Sequence, residues 1–492
     1  MAIRNMLLLL AASLPAGAQP ALPVPRVEWA DLPAAVVEKA PDLRTGYLVV
    51  PENRHAKGSR SIRLPFIIEK SRNPAAPEDP ILFTAGGPGG SSLSGARRRA
   101  NQPLLDDRDL ILFEQRGTHH AEPSLVAPGI DEALRSGWAT QLDGRPVSAT
   151  VRKALASAAA AFKAEGVDLA GYTTEQSAAD IADLRRLLGI PALNLYGVSY
   201  STKLMLTVLR DHPEGIRSAI LDSVLTPESN WDEEAPANIL EVLRRVLAAG
   251  QRDESLRVAC KDLEVRFLKV LATANRKPVQ VRVRNPRDGS PLVVRLGAAG
   301  LMNSVYAGLE QAGTIRPTLL AMDAATRGDF QLLAPMLEAD LGSSQGAAWG
   351  MRLAVWCNEE LPFERPSRIL HPTGLPKELR GFVQTAVPME ALDAWPQGHP
   401  DARENEPVSS AVPILIVSGE FDPDTPGKWA RATLAHLPNA HLMTLPGMSH
   451  APLFTHPEAA RIMKAFLADP GRAPDPGRIA EVPPFLLSGM GR

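Results

Sequence analysis

A serine at a sharp turn is the first residue whose position could support chemistry. Ser199 follows an apolar run at 193–196 and stands in the segment GVSYS, before a helix-forming stretch. A strand, a tight turn and a helix together hold a serine in a strained, accessible position, and this turn needs small neighbours such as Gly197 and Ser201. The pattern predicts a nucleophile elbow, although Ser201 stands where a second glycine is usual. The alternative is a serine that only caps a helix.

A serine hydroxyl is a poor nucleophile unless a base takes its proton and an acid orients that base. In a fold with this elbow, both partners come later in the chain, the acid before the base. His450 lies in PGMSH after a strand-like run, whereas His436 and His441 fall at a predicted helix end and strand start. Asp422 lies in GEFDPDTP after another strand-like run, and Asp424 is the rival acid, with helix capping as its alternative role. We therefore predict a triad of the serine, Asp422 and His450.

The predicted base also sets an expected pH dependence. A general base must be unprotonated, and the reference pKa of histidine, about 6.5, lies near neutrality. From the sequence alone, kcat/KM is expected to rise through a single group in that region, assigned to His450.

Acyl transfer also needs donors for the developing oxyanion. The strand-like run at 81–84 ends in AGGPGGSS, at the place where the fold supplies such donors. The backbone N–H groups of Gly87 and Tyr200 are the candidates. The same loop is a near miss to a dinucleotide fingerprint, but its third glycine is absent and Pro88 interrupts it.

Strands and helices alternate around these groups. Two β-rich runs at 46–50 and 62–68 suggest an opening hairpin. Apolar runs then predict strands, and helical spacing predicts helices between them. The predicted strands lie at 81–84, 110–113, 193–196, 216–221, 412–417 and 441–445, and the predicted helices at 174–188, 202–210, 426–436 and 457–467. This order predicts an α/β fold with a mostly parallel sheet and helices on both faces.

The alternation of strands and helices stops in the middle of the chain. Between residues 226 and 410 helical periodicity dominates, with one β-rich interlude at 279–296. We predict a first core segment at 40–225, an inserted and mainly helical cap at 226–410, a second core segment at 411–470 and a C-terminal tail at 471–492.

The chain has 492 residues and a formal net charge of −2, without a long Lys/Arg run, which excludes the electrostatic footprint of a nucleic-acid binder. Residues 1–18 combine Arg4, an apolar stretch and a small-residue site, which predicts a signal peptide cleaved near Ala18 and an exported, periplasmic or secreted protein. No other apolar run is long enough to anchor the chain in a membrane.

Cysteine and histidine usage favours neither a disulfide framework nor a metal centre. Only Cys260 and Cys357 occur, and a disulfide and two buried thiols both remain open. The pair His119 and His120 lies in a predicted loop without further ligands nearby, so we expect no metal there.

Five motifs in order resemble the exported prolyl and tripeptidyl aminopeptidases among the serine peptidases of the α/β-hydrolase fold. They are GGPGGS at 86–91, EQRGTHHAEPSL at 114–125, GVSYS at 197–201, GEFDPDTP at 419–426 and GMSH at 447–450. The resemblance extends from about Tyr47 to Pro457. It implies an α/β-hydrolase fold with a cap, a Ser–Asp–His triad, no cofactor and peptide substrates with a free N-terminus. Residue by residue, it supports Ser199, Asp422, His450, Gly87 and Tyr200.

The resemblance also implies an acidic anchor for the substrate's α-ammonium in or near the cap. Glu359 and Glu360 are the acidic cap residues that we assign to it, with a solvated helix end as the alternative. Ala85, where prolyl-type relatives often carry His, and His119–His120 depart from the family pattern and bear on substrate preference. The remaining alternatives for function are a carboxylic ester hydrolase with the same triad and a non-catalytic binding protein on this scaffold.

Overall fold

The computed structural model describes most of the chain between residues 22 and 485. The described ranges are 22–33, 36–37, 43–94, 101–140, 148–286, 288–343, 347–385, 387–398, 400–477, 479 and 485. The predicted signal peptide and most of the predicted tail lie outside them. Among the described residues, no helix is both long and apolar enough to cross a membrane.

Within the described residues, nine strands form one large sheet in the order β1-β2-β3-β5-β4-β6-β7-β10-β11. Antiparallel pairing joins β1 to β2, β2 to β3 and β3 to β5, and every other pair is parallel. The strands are β1 (Arg26–Trp29), β2 (Leu43–Pro51), β3 (Ser61–Glu69), β4 (Ile81–Thr84), β5 (Leu110–Phe113), β6 (Leu193–Val198), β7 (Ile216–Asp222), β10 (Ile414–Gly419) and β11 (Ala440–Leu445). All residues of β4, β5, β6 and β10 are buried, as expected for strands covered on both faces.

Helices cover both faces of this sheet. On one face α3, α4 and α13 pack against the strands, and on the other face α14 does so. The helices are α1 (Pro128–Thr140), α2 (Ser148–Ala164), α3 (Thr174–Leu187), α4 (Tyr200–Asp211), α5 (Trp231–Arg252), α6 (Arg257–Cys260), α7 (Leu263–Ala274), α8 (Ala298–Leu309), α9 (Ala312–Ala325), α10 (Ala334–Ser343), α11 (Trp349–Val355), α12 (Pro366–Leu370), α13 (Gly427–Leu434) and α14 (Ala459–Ala468). The protein therefore has the predicted α/β-hydrolase fold, with a mostly parallel sheet.

The segment between β7 and β10 builds a hydrophobic core of its own. Helices α5 and α7 to α10 pack there with an antiparallel hairpin of β8 (Val279–Arg284) and β9 (Pro291–Leu296). The hairpin alternates buried Val281 and Val283 with exposed arginines, which is the pattern of a strand with one covered face. Helices therefore dominate the segment between β7 and β10, with one two-stranded hairpin among them.

Helices α1 and α2 were not predicted. They lie between β5 and β6 in the chain, yet Leu155 and Phe162 pack in one cluster with Trp349 and Trp395 of the cap segment. Helices α1 and α2 therefore pack with the cap segment, although they lie inside the predicted first core segment. Their sequence, SATVRKALASAAAAFKA for α2, is rich in alanine and carries a weak apolar stripe.

The parallel strands bring their carboxyl ends to one edge of the sheet. The loops after β4, β6, β7, β10 and β11 therefore meet there. Gly86 and Gly87 follow β4, Ser199 follows β6, Asp422 follows β10, and His450 follows β11. Residues far apart in the chain are thus gathered at one edge by the topology.

Candidate active site

Ser199 lies at the junction of β6 and α4 in a backbone conformation that few residues other than glycine adopt. Its φ is 56° and its ψ is −128°, and α4 begins at the next residue. Such strain persists only where the surrounding structure holds it, and it is common at functional positions. The Ser199 N–H donates to the Asp222 carbonyl at 2.9 Å, which fixes the turn to the end of β7. Ser199 itself is half-buried.

Two small residues make this turn possible. A Cβ on Gly197 would lie 2.6 Å from the Ser201 carbonyl oxygen, so a larger residue does not fit at 197. The Ser201 hydroxyl donates to the Thr84 carbonyl at 2.8 Å and accepts the Val198 N–H at 2.7 Å. Serine at the place of the usual second glycine therefore ties the turn to β4, a role that the sequence pattern did not reveal.

Residues at the end of β7 connect the serine turn to the histidine loop. Asp222 accepts the Ser199 N–H through its carbonyl, and the next residue, Ser223, accepts the Ala451 N–H at 2.8 Å through its hydroxyl. The Asp222 side chain also accepts the Leu453 N–H at 3.1 Å. The loops that carry Ser199 and His450 are thus held on two consecutive residues.

Asp422 and His450 form a hydrogen-bonded pair. His450 Nδ1 lies 3.0 Å from Asp422 Oδ2 and 3.1 Å from Oδ1. Asp422 is fully buried and also accepts the backbone N–H groups of Asp424 and Thr425, each at 2.9 Å, and the Thr425 hydroxyl at 2.7 Å. Burial would raise the pKa of Asp422, but His450 and these donors lower it below its usual value. This carboxylate is therefore well suited to orient the imidazole and to stabilise it when protonated.

Asp424, the rival acid, occupies a different position. Its Oδ2 lies 3.8 Å from His450 Nδ1, and its Oδ1 accepts a short hydrogen bond from the Tyr306 hydroxyl of α8. Burial and the neighbouring Asp422 raise the pKa of Asp424. The geometry favours Asp422 as the orienting acid, and Asp424 links the cap to the site.

The cap reaches the histidine loop at the end of α8. The Ser449 hydroxyl donates to the Leu309 carbonyl in a short hydrogen bond, and Glu310 follows directly. Burial alone would lower the pKa of His450, but Asp422, Asp424 and Glu310 together raise it to about 10. Several carboxyls thus face one imidazole and favour its protonated form, which raises the expected pKa above the reference value near 6.5.

Three ligand atoms at this site could in principle hold a metal ion. The donor atoms of Asp422, Asp424 and His450 lie within 4.8 Å of one another, and this is the one such group among the described residues. Hydrogen bonds already occupy both oxygens of Asp422 and one oxygen of Asp424. These bonds compete with metal coordination and favour an acid–base pair. His119 and His120 are not part of this group.

The predicted oxyanion donors lie beside the serine. A Cβ on Gly86 would lie 2.9 Å from the Ser199 Cβ and 3.3 Å from the Tyr200 nitrogen, so the glycine loop passes directly next to the turn. Within the described residues, neither the Gly87 N–H nor the Tyr200 N–H donates to another group. Gly87 has a φ of 128°, a conformation that favours glycine. Both N–H groups are therefore available to a ligand.

Glu114 holds the glycine loop through hydrogen bonds to its carboxylate. The carboxylate is buried and accepts the backbone N–H groups of Ser92 at 2.8 Å and Leu93 at 3.3 Å, and the Ser91 hydroxyl at 3.1 Å. Burial raises the pKa of Glu114, and these donors counteract it. Glu114 thus holds the glycine loop in place. Its position at the end of a strand was the available signal.

Glu359 and Glu360, the predicted α-amino anchors, are buried in a π-helical turn at Trp356–Glu360, with exposures of 3% and 4%. Neither is a solvated helix end. Glu360 Oε1 accepts a hydrogen bond from Lys203 Nζ at 2.6 Å, so this carboxylate is already neutralised and is not a free anchor. Glu359 Oε1 accepts the Thr174 N–H, whereas its Oε2 makes no hydrogen bond and lies 3.9 Å from Lys203 Nζ. The anchor role stays a prediction for Glu359 alone.

The two cysteines are separate buried thiols. Cys260 ends α6 and Cys357 lies in the π-helical turn, and neither forms a disulfide. Burial raises the pKa of Cys260 to about 11 and that of Cys357 to about 12. Both side chains therefore act as apolar core groups.

Two families match separate parts of the chain. Residues 79–264 match the family described as alpha/beta hydrolase fold, and residues 383–479 match the family described as TAP-like protein. The first range includes Ser199 and the glycine loop, and the second includes Asp422 and His450. Neither range includes 265–382, which contains most of the cap.

Several known proteins are similar to this chain. A tripeptidyl aminopeptidase of Streptomyces lividans is 26% identical over 341 residues, which cover 65% of this chain and 60% of the relative. The serine protease Hip1 of Mycobacterium tuberculosis is 24% identical over 404 residues, which cover 76% and 75%. A solved structure of a proline iminopeptidase from Mycobacterium smegmatis is 16% identical with a TM-score of 0.38, and the likeness covers 86% of this chain and 98% of that one. The chain spans about 60% of the length of the tripeptidyl aminopeptidase. The family matches and curated relatives confirm the predicted resemblance to α/β-hydrolase peptidases of the tripeptidyl type.

Proposed function

We propose that this chain, an α/β-hydrolase-fold protein similar to peptidases of the tripeptidyl type, is an exported serine aminopeptidase that needs no cofactor. The observation that carries the proposal is the hydrogen bond of 3.0 Å between His450 Nδ1 and the ionised Asp422, next to a strained serine turn. The names of the relatives support the same chemistry and the aminopeptidase activity.

In the proposed mechanism, His450 takes the proton of Ser199 as the hydroxyl attacks a peptide carbonyl. Asp422 holds the imidazole in the orientation and tautomer that this step needs, and it stabilises the imidazolium. The Gly87 and Tyr200 N–H groups donate to the oxyanion of the tetrahedral intermediate. His450 then protonates the leaving amine, and water releases the acyl-enzyme by the reverse sequence of proton transfers.

Labelling by a fluorophosphonate tests the serine directly. The reagent should modify Ser199, and Ser199→Ala should lose both labelling and turnover by several orders of magnitude. Ser255→Ala, at an exposed serine of the cap, is the matched control and should behave like the unmodified protein. Peptide mapping identifies the adduct, and labelling that persists in Ser199→Ala would reject the proposed nucleophile.

The aminopeptidase activity requires that the site distinguish a free N-terminus from a blocked one. A buried carboxylate oxygen without a hydrogen bond would pair with a substrate ammonium, and an acetylated peptide cannot supply that charge. Glu359 Oε2 makes no hydrogen bond and lies 3.9 Å from Lys203 Nζ. Burial raises the pKa of Glu359, and Lys203 opposes the shift. A substrate ammonium that displaces the proton of Glu359 would be bound next to a carboxylate that compensates its charge.

Matched free and N-acetylated peptides, together with simple esters, test this step. Free peptides should be cleaved far faster, and Glu359→Gln should remove most of the discrimination while ester hydrolysis persists. Glu360→Gln is the contrasting variant, since it leaves Lys203 without its partner and should lower stability instead. Equal cleavage of free and acetylated peptides would reject the aminopeptidase activity and favour an endopeptidase or, if only esters react, an esterase. Export is tested separately, by determining the N-terminus of protein recovered from a host periplasm or medium.

A further inference from the structure

Arg352 of the cap lies on the helix that contacts the oxyanion loop. The Ala348 N–H, just before α11, donates to the Gly89 carbonyl at 3.1 Å. The Arg352 N–H donates to the Ala348 carbonyl at 3.0 Å, so the two residues are one helical turn apart and share a face. Side chains of a helix lean towards its N-terminus, which directs Arg352 back to the Gly89 loop.

Two indole rings hold the space around this guanidinium. Arg352 Cζ lies 5.6 Å from the ring centre of Trp349 and 5.8 Å from that of Trp356, within the range of a cation–π contact. The Trp349 N–H donates to Asp131 and the Trp356 N–H to Asp232, each at 2.7 Å. Both rings are therefore fixed by their own hydrogen bonds, independently of the arginine.

The guanidinium itself has no hydrogen-bond partner. Arg352 Nε is buried and unpaired, and among the described residues the side chain makes neither a hydrogen bond nor an ion pair. By contrast, the buried Arg108 makes two hydrogen bonds to Asp79 and one to the Leu467 carbonyl. Arg352 as a residue is half-buried, and its buried Nε lacks the partner that such a group usually has, so a ligand that reaches the guanidinium would complete it.

Nearby charges do not fill this gap. Tyr306, Asp232, Asp424 and Glu310 raise the pKa of Arg352, but burial outweighs them and lowers it. Asp232 already accepts the Trp356 N–H through Oδ2, and Asp424 accepts the Tyr306 hydroxyl through Oδ1. These acids compensate part of the charge of Arg352 from a distance, and they leave the N–H groups of its guanidinium without an acceptor.

We propose that Arg352 binds a carboxylate of the substrate, next to the oxyanion loop, by two parallel N–H···O hydrogen bonds. A planar guanidinium matches a carboxylate in this way, and the flanking rings exclude water from the pair. The carboxylate could be the C-terminus of a short peptide or an acidic side chain close to the scissile bond. This inference rests on the proposed serine hydrolase activity and adds a second charged contact, of opposite sign to the ammonium site.

Matched substrate pairs test the inference and separate the two sources. One pair compares a short peptide acid with its amide, and the other compares Glu with Gln on either side of the scissile bond. A third pair compares a p-nitrophenyl ester carrying a free carboxylate with its methylated form, so that Arg352 is tested even if no peptide is cleaved. In at least one pair, kcat/KM should favour the carboxylate about tenfold or more.

Arg352→Gln should reduce that preference to about twofold or less, and Arg352→Lys should retain only part of it because a point charge replaces the fork. Arg282→Gln, at an exposed arginine of β8, is the matched control and should retain the full preference. Fluorophosphonate labelling confirms that each variant is folded, and Arg352→Lys decides the test if Arg352→Gln does not fold. The absence of any carboxylate preference in the unmodified protein would overturn the inference. So would an equal loss for both members of every pair, which is the result expected if Arg352 only balances nearby acids.

Discussion

Buried acids are partnered very differently in two regions of this protein. Beneath the loops after β2 and β5, Asp180 receives two hydrogen bonds from Arg116, at 2.7 and 2.8 Å, and one from Arg54 at 2.7 Å. At the boundary of the cap, Asp232 and Glu364 are also buried, but no cation pairs with them, and Asp232 Oδ1 and Glu364 Oε2 have no hydrogen-bond partner among the described residues.

At Asp232 and Glu364, bound protons neutralise the carboxyl groups with which no arginine or lysine pairs among the described residues. Burial raises the pKa of both Asp232 and Glu364, and the charge of Asp232 raises the pKa of Glu364 further. The Asp180 region stabilises the fold, because the arginines compensate the charge of Asp180. The Asp232 region holds protons and unpaired oxygens beside the site, so its charge can change with pH or with a bound ligand.

The same contrast occurs within the active site, and there we expect the largest effect. Asp422→Asn should lower kcat roughly 10⁴-fold, because the amide no longer fixes the imidazole tautomer. Asp424→Asn should cost less than about tenfold, because Asp424 does not make the close contact with Nδ1. Steady-state kinetics with a chromogenic ester, alongside active-site labelling, measure both. A larger loss in Asp424→Asn would exchange the roles of the two acids.

The next largest effect concerns stability. Asp180→Asn should lower the free energy of unfolding by about 3–5 kcal/mol, because Arg116 and Arg54 lose a compensating charge in a buried position. Glu364→Gln, compared at pH 5, should change it by less than about 1 kcal/mol, because the amide resembles the protonated acid. Urea unfolding followed by tryptophan fluorescence measures both. Similar losses in the two variants would remove the distinction between the regions.

Local sequence context was enough to predict where the candidate catalytic residues lie relative to the strands. Ser199, Asp422 and His450 each lie in the loop after a strand, and parallel strands bring their carboxyl ends together. The fold class followed from the same alternation. The pairing of Lys203 with Glu360 could not be predicted, because 157 residues separate them and neither stands in a pattern that requires the other.

The cap was the least predictable part in detail. Its helices could be recognised, but the packing of α1 and α2 against α11 depends on tertiary contacts that periodicity does not encode. The guanidinium of Arg352 is open because no acceptor among the described residues reaches it, and no sequence motif describes such an arrangement. The pKa of His450 could not be inferred from its reference value, because Asp424 and Glu310 approach it from different segments.

The pH dependence of stability sharpens the comparison further. The pKa of Glu364 is raised in the folded state, so above its unfolded value the folded protein binds more protons than the unfolded one, and the free energy of unfolding falls as pH rises. This fall should be on the order of 1 kcal/mol per pH unit between pH 5 and 7. Glu364→Gln should flatten it and become more stable than the unmodified protein at pH 7. Parallel slopes for the two proteins would show that Glu364 is ionised in the fold.

The smallest effect that we predict is a shift in the pH profile of activity. Burial lowers the pKa of His450, but Asp422 and Asp424 raise it to about 10, so the imidazole stays protonated over a wider range than a free histidine. A protonated base cannot accept the serine proton, and kcat/KM should therefore rise through alkaline pH and not near 6.5. Asp424→Asn removes one of the charges that raise this pKa, at 3.8 Å from Nδ1, and should move the midpoint down on the order of one pH unit.

The profile is best measured with an ester whose own ionisation lies outside the range and with single-turnover acylation, so that chemistry is followed. The control is Lys428→Gln. Lys428 is a partly exposed residue of α13 that pairs with Glu234, so this variant removes a charge that is not part of the His450 surroundings. Its midpoint should match that of the unmodified protein. A midpoint near 6.5 in the unmodified protein would mean that Asp424 and Glu310 carry protons when the base titrates, and the paired Asp422 would then be the one acid whose charge His450 senses. An unchanged midpoint in Asp424→Asn, with the unmodified protein titrating at alkaline pH, would assign the whole shift to Asp422 and place Asp424 with the proton-holding acids of the cap boundary.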